Sequence, residues 1–379
     1  MHYKVAFFTK QFSERGTERT TYDYADFNET ILGNKSFIIA FSDLAIDKYG
    51  FEKTKTYVLD KYKNRFKVYR VDSLFEINNI LMENDITHVY TQSHGFHKDI
   101  FEFKNKLIWG NCKTIYHCAF GPMAMQGSHL RCVVGNFLNK RFRKKLPVLP
   151  PIVRKHENKN DLRHKLNIPE EAIVLGRHGG KDTFDINFVK NAILKFISEN
   201  KNYYFLFVNT KKFSKHKNII YLENLSDEDI FSFIDSCDAM IHARFDGETF
   251  GLAPAEFSAA NKPVITYGLS KDKEHLKILK ENALIYQNED ELLEILTSLP
   301  SILNGKTNWN SYEYFEPYNI MQIFKDVCLT EKEETLIQKL LTFLLDLPWE
   351  IKIKYDFITG LFKILCNKLF KKMTSKIIL

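Results

Sequence analysis

What this chain lacks narrows it first. Its six cysteines (Cys112, Cys118, Cys132, Cys237, Cys328 and Cys366) form no CxxC pair and show no zinc-like spacing. That argues against a disulfide scaffold or a zinc module and for reduced thiols in a cytoplasmic protein. No run of about 18 apolar residues occurs, so no membrane-spanning helix is expected. The run Val5-Ala-Phe-Phe8 is too short for a signal peptide and reads as a first strand. Internal repeats and low-complexity segments are missing as well. What is present is a globular composition, 44% hydrophobic and 27% charged over 379 residues, long enough for two domains. The net charge of +7 is mildly basic and suits anionic ligands such as nucleotide diphosphates or a lipid headgroup. It forms no single stripe, so no nucleic-acid partner is expected.

Strands and helices alternate along the chain. Strands are expected at Tyr3–Thr9, Ser36–Phe41, Val68–Val71, Thr87–Thr91 and Lys113–Cys118, with helices at Tyr22–Ile31 and Leu74–Met82. A basic cluster, Lys140–Lys145, and the proline-rich Leu146–Pro151 then read as a linker. Alternation restarts with strands at Ala172–Gly176, Tyr203–Asn209, Ile219–Leu222, Ala239–His242 and Lys262–Tyr267. Helices are expected at Phe184–Asn200 and Ser226–Ser236. The pattern predicts two doubly wound α/β domains with parallel sheets, residues 1–150 and 151–308. In the tail, 336–379, Ile358, Leu361, Phe362, Leu365 and Leu369 recur at helical spacing among lysines. The helix over 357–372 could lie on an anionic membrane surface or pack its apolar stripe onto the protein.

The most informative segment is Asp246-Gly-Glu-Thr-Phe-Gly-Leu-Ala-Pro-Ala-Glu256, which follows a short buried strand and opens a helix. Gly247 and Gly251 permit close backbone approach to a ligand. The amides of Thr249, Phe250, Gly251 and Leu252 lie near a helix N-terminus, which favours phosphate. Glu256 could accept hydrogen bonds from a ribose diol, and Glu248 from a second sugar. Spacing alone also fits an ordinary βαβ unit with solvated glutamates. Arg177 and Lys181, on a glycine-rich loop at a strand end, could clamp a diphosphate or form a solvated turn. His117 ends a strand and is expected to face the cleft, with His94 and His97 on a neighbouring loop on the acceptor side. Nothing nearby in sequence completes a metal site for that pair. Asp227-Glu-Asp229 imitates a metal-binding DxD, but its place in a first helical turn argues for capping. Arg244 is either a further cation near a diphosphate or the partner of a carboxylate. Gly16-Thr-Glu18 reads as a glycine-containing loop.

Glu248 and Glu256, with Phe250-Gly-Leu252 between them and Asn261-Lys-Pro-Val264 after, resemble the E-x7-E motif of retaining glycosyltransferases of the GT-B fold, particularly family 4. The resemblance is close over roughly residues 170 to 270. It implies two Rossmann-like domains facing a central cleft, the first on the acceptor side and the second holding the donor. It also implies a helix in 309–335, within Trp309–Val327, crossing back onto the first domain. It favours Arg177 and Lys181 as the diphosphate clamp, although His178-Gly-Gly180 and Asp182 depart from the usual pattern around Lys181. It assigns His117 to the donor sugar or the acceptor, and Gly16 to the glycine-rich first loop. The implied activity is metal-independent transfer of a hexose from a nucleotide diphosphate sugar, the co-substrate, to a hydroxyl of a glycan, lipid or protein-linked sugar. No other cofactor is expected. A nucleotide- or glycan-binding scaffold without turnover and a nucleotide-sugar epimerase are the alternatives.

Overall fold

The computed structural model describes residues 2–13, 15–95, 101–121, 127–223 and 225–330. His97, Cys366 and the amphipathic helix expected over 357–372 lie outside the described residues. Among them no helix is long and apolar enough to cross a membrane.

The first domain is built on β1 (Lys4–Thr9), β2 (Lys35–Phe41), β3 (Lys67–Val71), β4 (His88–Ser93), β5 (Lys113–Cys118) and β6 (Leu130–Val133). They form one parallel sheet in the order β3-β2-β1-β4-β5-β6. The second begins with β7 (Ile173–Arg177), β8 (Tyr203–Val208), β9 (Ile219–Leu222) and β10 (Ala239–His242). It continues through β11 (Gly247–Glu248), β12 (Val264–Tyr267), β13 (Asp272–Lys273) and β14 (Ala283–Tyr286). Its main sheet repeats the plan, β14-β12-β10-β7-β8-β9, while β11 and β13 pair separately. Both sheets are covered by helices on both faces, which is why their strands are near-continuous apolar runs. In β1, Ala6 and Phe8 enter one core cluster while Val5 and Phe7 enter the other. The alternation of the pleat therefore serves two cores instead of one core and water.

The helix expected from Tyr22 begins earlier, at Gly16, and runs to Thr30. Gly16 is thus the first residue of a helix and not part of a loop. The proline-rich linker lies along the edge of the first sheet: the Leu149 amide donates to Val133 O (2.9 Å) and the buried Tyr24 hydroxyl to Pro150 O (2.6 Å). The chain enters the second domain beside the segment that leaves it, the Val153 amide donating to Phe315 O (2.8 Å). The helix Pro317–Phe324 and the wide turn Lys325–Leu329 then pack on the first domain. There Ile320, Met321 and Phe324 are fully buried, with the Phe324 ring 5.2 Å from Tyr24 and 5.9 Å from Tyr90.

Phe324 therefore anchors the returning helix. Phe324→Ala is expected to destabilise the protein by about 3–5 kcal/mol, read as a lowered midpoint in chemical denaturation. A loss below about 1 kcal/mol would mean that the helix does not depend on this ring.

Candidate functional site

In each sheet the order reverses between two adjacent strands, β1 and β4 in the first, β7 and β10 in the second. Such points open a crevice beyond the carboxyl ends of the strands, the usual ligand position in open α/β sheets. The segments after β1, β7 and β10 carry nearly all of the candidate residues.

Two helix N-termini meet there. The Gly16 helix has no side-chain cap on its first amides. Opposite it, the helix Leu252–Ala259 is also uncapped and starts from Gly251 in the left-handed region (φ 84°). A Cβ on Gly16 would come within 3.4 Å of Leu252 Cδ1, so the two termini touch across the domains. At Gly251 the positive φ strains any side chain, and a Cβ would stand 3.2 Å from His275 Cβ and 3.3 Å from Glu248 Cβ. Uncapped amides at two converging N-termini make this a natural seat for a phosphate group. Thr249 is half-buried beside it. Phe250 turns inward, its ring edge-on to Tyr312 (5.5 Å) and Phe315 (5.0 Å), and its carbonyl accepts from the Tyr312 hydroxyl (3.0 Å). Its side chain supports the loop from beneath, leaving the backbone to face the crevice.

The two glutamates of the motif sit in different surroundings. Glu248, on β11, accepts from Arg244 Nη1 (3.0 Å) and lies 3.3 Å from His242 Nε2. Burial alone would raise its pKa, but the His242 hydrogen bond and the Arg244 charge overcome this and bring it down to about 2. Of the two readings of Arg244, the structure displays the carboxylate partner. Glu256, on the Leu252 helix, is 6% exposed and ion-paired with Arg19, which reaches over from the Gly16 helix of the other domain. His178 Nε2 lies 3.0 Å from its other oxygen. A second bridge, Arg141 to Asp272 (2.9 Å), also joins the domains.

Several expected residues lie elsewhere than anticipated. The Arg177 guanidinium is turned into the second domain, where it donates to Asn209 O (3.2 Å), Gly180 O (2.7 Å) and Thr183 Oγ1 (2.6 Å) and also bonds Thr210. Burial lowers its pKa to about 10, with the Glu248 charge acting against that shift. It braces the loops after β7 and β8 and does not project as a clamp. Lys181 is exposed and lines, with Lys190, Lys211 and Lys212, an open hollow of about 280 Å³. His117 does not face the cleft. Its ring is fully buried, tied to the Tyr90 hydroxyl (2.6 Å) and edge-on to Tyr24, and burial lowers its pKa to about 3. His94 is exposed and stacked on Phe120 (5.7 Å). Asp229 completes a capping box with Ser226. Among the described residues no three His, Cys, Asp or Glu side chains converge as a metal would require.

Arg19, His178, His242, Thr266 and His275 were not singled out by the sequence reading. Arg19 could have been found as the residue one turn into the Gly16 helix, and His242 as the last residue of the strand that delivers the motif. Thr266 and His275 are brought in only by the fold.

Comparison with known proteins agrees with this fold. Residues 187–306 match the family Glycosyl transferases group 1. No curated protein matches the sequence. A glycosyltransferase from Rickettsia africae ESF-5 superposes with a TM-score of 0.65 at 16% identity, covering 86% of this chain and 98% of that one. Anabaena HepE in complex with UDP-glucose gives 0.65 at 13% identity, covering 86% and 99%. The UDP-GlcNAc 2-epimerase of Methanocaldococcus jannaschii gives 0.54 at 12%, covering 86% and 100%. The two-domain GT-B architecture expected from the sequence is borne out, and the group 1 match makes the chain an enzyme of the glycosyltransferase class.

The buried groups set a pH response. His117 and His275 have pKa values near 3 in the folded state against 6.5 ordinarily, so the stability their neutral forms supply is complete above pH 6.5 and lost on acidification. Glu18, raised by burial to about 7, acts the other way between pH 4.5 and 7, gaining as pH falls. Glu248, depressed to about 2, keeps its full contribution above pH 4.5 and loses it below. The lowered rings, His117, His275 and His129, act against the raised carboxyls of Glu18 and Asp23, and below pH 4.5 the loss at Glu248 joins the rings. Denaturation midpoints should fall on acidification from pH 6.5, and His117→Asn should make that fall shallower. A pH-independent midpoint from 6.5 to 4.5 would contradict the burial of these rings.

Proposed function

We propose that this chain is a retaining, metal-independent glycosyltransferase that moves a hexose from a nucleotide diphosphate sugar to a hydroxyl of a glycan, lipid or protein-linked sugar. The observation that carries the reading is the meeting of the uncapped Gly16 and Leu252 helix N-termini, flanked by Glu248 and Glu256, the Leu252 helix and both glutamates lying inside the group 1 segment. The diphosphate would lie on the open amides, which gain most as charge develops on the departing phosphate. Glu256 would hold the ribose and Glu248 the transferred sugar. Arg19 pairs with Glu256, so ribose binding there would release the guanidinium to stand beside the diphosphate. Arg177 would contribute by holding the loop after β7, and Lys181 by its charge. Attack would come from the face of departure, with no covalent protein nucleophile, and the acceptor proton would pass to the leaving phosphate. A closed cleft would exclude water and limit hydrolysis. His94 would lie on the acceptor side. The solved structures of UDP-sugar proteins of this fold, HepE with UDP-glucose among them, support a nucleotide-sugar donor.

A thermal-shift screen of the full chain against UDP-, GDP- and ADP-sugars with EDTA present tests the donor class. One donor and its nucleotide diphosphate should raise the midpoint, and no shift for any of them would overturn the reading. Release of nucleotide diphosphate only when an acceptor is present separates transfer from epimerisation, which needs none. Glu256→Ala is expected to lower kcat/KM at least about 100-fold, roughly 3 kcal/mol, with the fold retained. Full turnover by that variant would remove Glu256 from the site.

A further inference from the structure

Behind Glu248 a polar chain runs into the core of the second domain. His242 Nε2 lies 3.3 Å from Glu248 Oε1, and His242 Nδ1 lies 2.9 Å from Thr266 Oγ1. Thr266 Oγ1 lies 3.0 Å from His275 Nε2. The chain joins β10, β12 and the helix Glu274–Leu279 to β11. Thr266 and His275 are fully buried and His242 is 5% exposed, so water does not substitute for any link. The two imidazole rings pack 5.1 Å apart between centroids.

The carboxylate end decides what the chain does. Glu248 is ionised above about pH 2 and can only accept. The nitrogen facing it must therefore carry a proton, which makes His242 Nε2 the donor. A free imidazole could flip about its Cβ–Cγ bond, which would put Cε1 in the place of Nε2, or move its proton to the other nitrogen, which would aim a lone pair at a carboxylate. The bond to Thr266 opposes the flip by holding Nδ1 inward, and His275 in turn holds the Thr266 hydroxyl. Arg244 grips the same Glu248 oxygen from the crevice side. The carboxylate is thus fixed from two directions, with its other oxygen left for a ligand.

We propose that Thr266 and His275 are positioning residues that act through His242, holding its Nε2–H on Glu248 so that this carboxylate meets the donor sugar in one fixed orientation. The proposal rests on the glycosyltransferase reading above and deepens it, because neither residue touches substrate. A side chain held this way matters most where the reacting geometry is tight, so losing the hold should reduce turnover more than donor binding.

Thr266→Val keeps the shape and removes the hydroxyl. It is expected to lower kcat at least about tenfold while the Kd for nucleotide diphosphate, held at Glu256 and the helix N-termini, stays within about twofold. Thr266→Ser should restore most of the lost rate. His275→Gln, whose amide can reach the place of Nε2, should retain more activity than His275→Ala, and this pair serves if Thr266→Val does not fold. Wild-type kcat in Thr266→Val or in His275→Ala overturns the proposal, as does an equal loss of kcat and of nucleotide diphosphate affinity. If the wild-type chain turns over no nucleotide sugar, the functional reading fails separately, and long-range proton–nitrogen spectra of the histidines decide the positioning. A His242 ring protonated at Nε2 in the wild type, with that signal lost or broadened in Thr266→Val, supports the hold. An unchanged signal refutes it.

Discussion

A carboxylate that stays ionised while mostly withdrawn from water is the constraint around which the second domain is arranged. An unpaired buried charge is costly, and Glu248 is tolerated because His242 and Arg244 reach it from opposite sides. Each partner imposes a demand of its own. His242 must be the last residue of β10 and needs Thr266 behind it on the neighbouring strand, in register with it across the β10–β12 pair. Glu248 must be lifted to that height by β11, which pairs with β13 and whose Gly247 admits no Cβ, since one would stand 2.0 Å from Asp272 O. Gly251 must then turn through the left-handed region so that the helix can begin directly beneath. The motif reads as eleven consecutive residues, but its geometry is held by three strands and the helix Glu274–Leu279.

The second organising contact is between domains. Since both sheets use the same strand order, their crevices can face one another, and the Gly16 and Leu252 helices present N-termini to the same space. Two like-signed dipole ends oppose each other unless something negative lies between or beside them. Arg19 reaches across the gap to Glu256, so the contact between the domains runs through a carboxylate proposed for the ligand. The pairing also keeps Glu256 from being buried alone.

Much of this was legible in the sequence, for reasons that particular elements make plain. β9 and β10 were read with the boundaries the structure shows, because each is a short, largely apolar run ended by a polar residue, and the bounds of β5 agree as well. The capping box at Ser226 was legible because it is entirely local. His117 was misplaced for a physical reason. Its neighbours Tyr116 and Cys118 enter one core and Ile115 the other, so in a sheet covered on both faces a strand-end position does not tell whether a side chain reaches the crevice. Arg177 has the same history, since its cation is spent on carbonyls of the loops after β7 and β8 that only the fold brings near. β11 and β13, two residues each, carry no periodicity to read. The Arg19–Glu256 pair spans most of two domains in sequence and has no local signature at all.

The site also uses opposite means on two acids. Glu248 is kept ionised by donors, whereas Glu18 is pushed by burial up to about 7, although the Thr17 and Ser13 hydroxyls both donate to it. Glu18 lies in the first turn of the Gly16 helix, the turn whose amides are open towards Leu252. Burial favours the neutral form of Glu18, which weakens its interaction with the dipole of its own helix. Arg19, the next residue, carries the positive charge that the same turn offers to the crevice. An acid and a base adjacent in sequence thus take opposite surroundings, Glu18 buried among hydroxyls and Arg19 reaching across to Glu256.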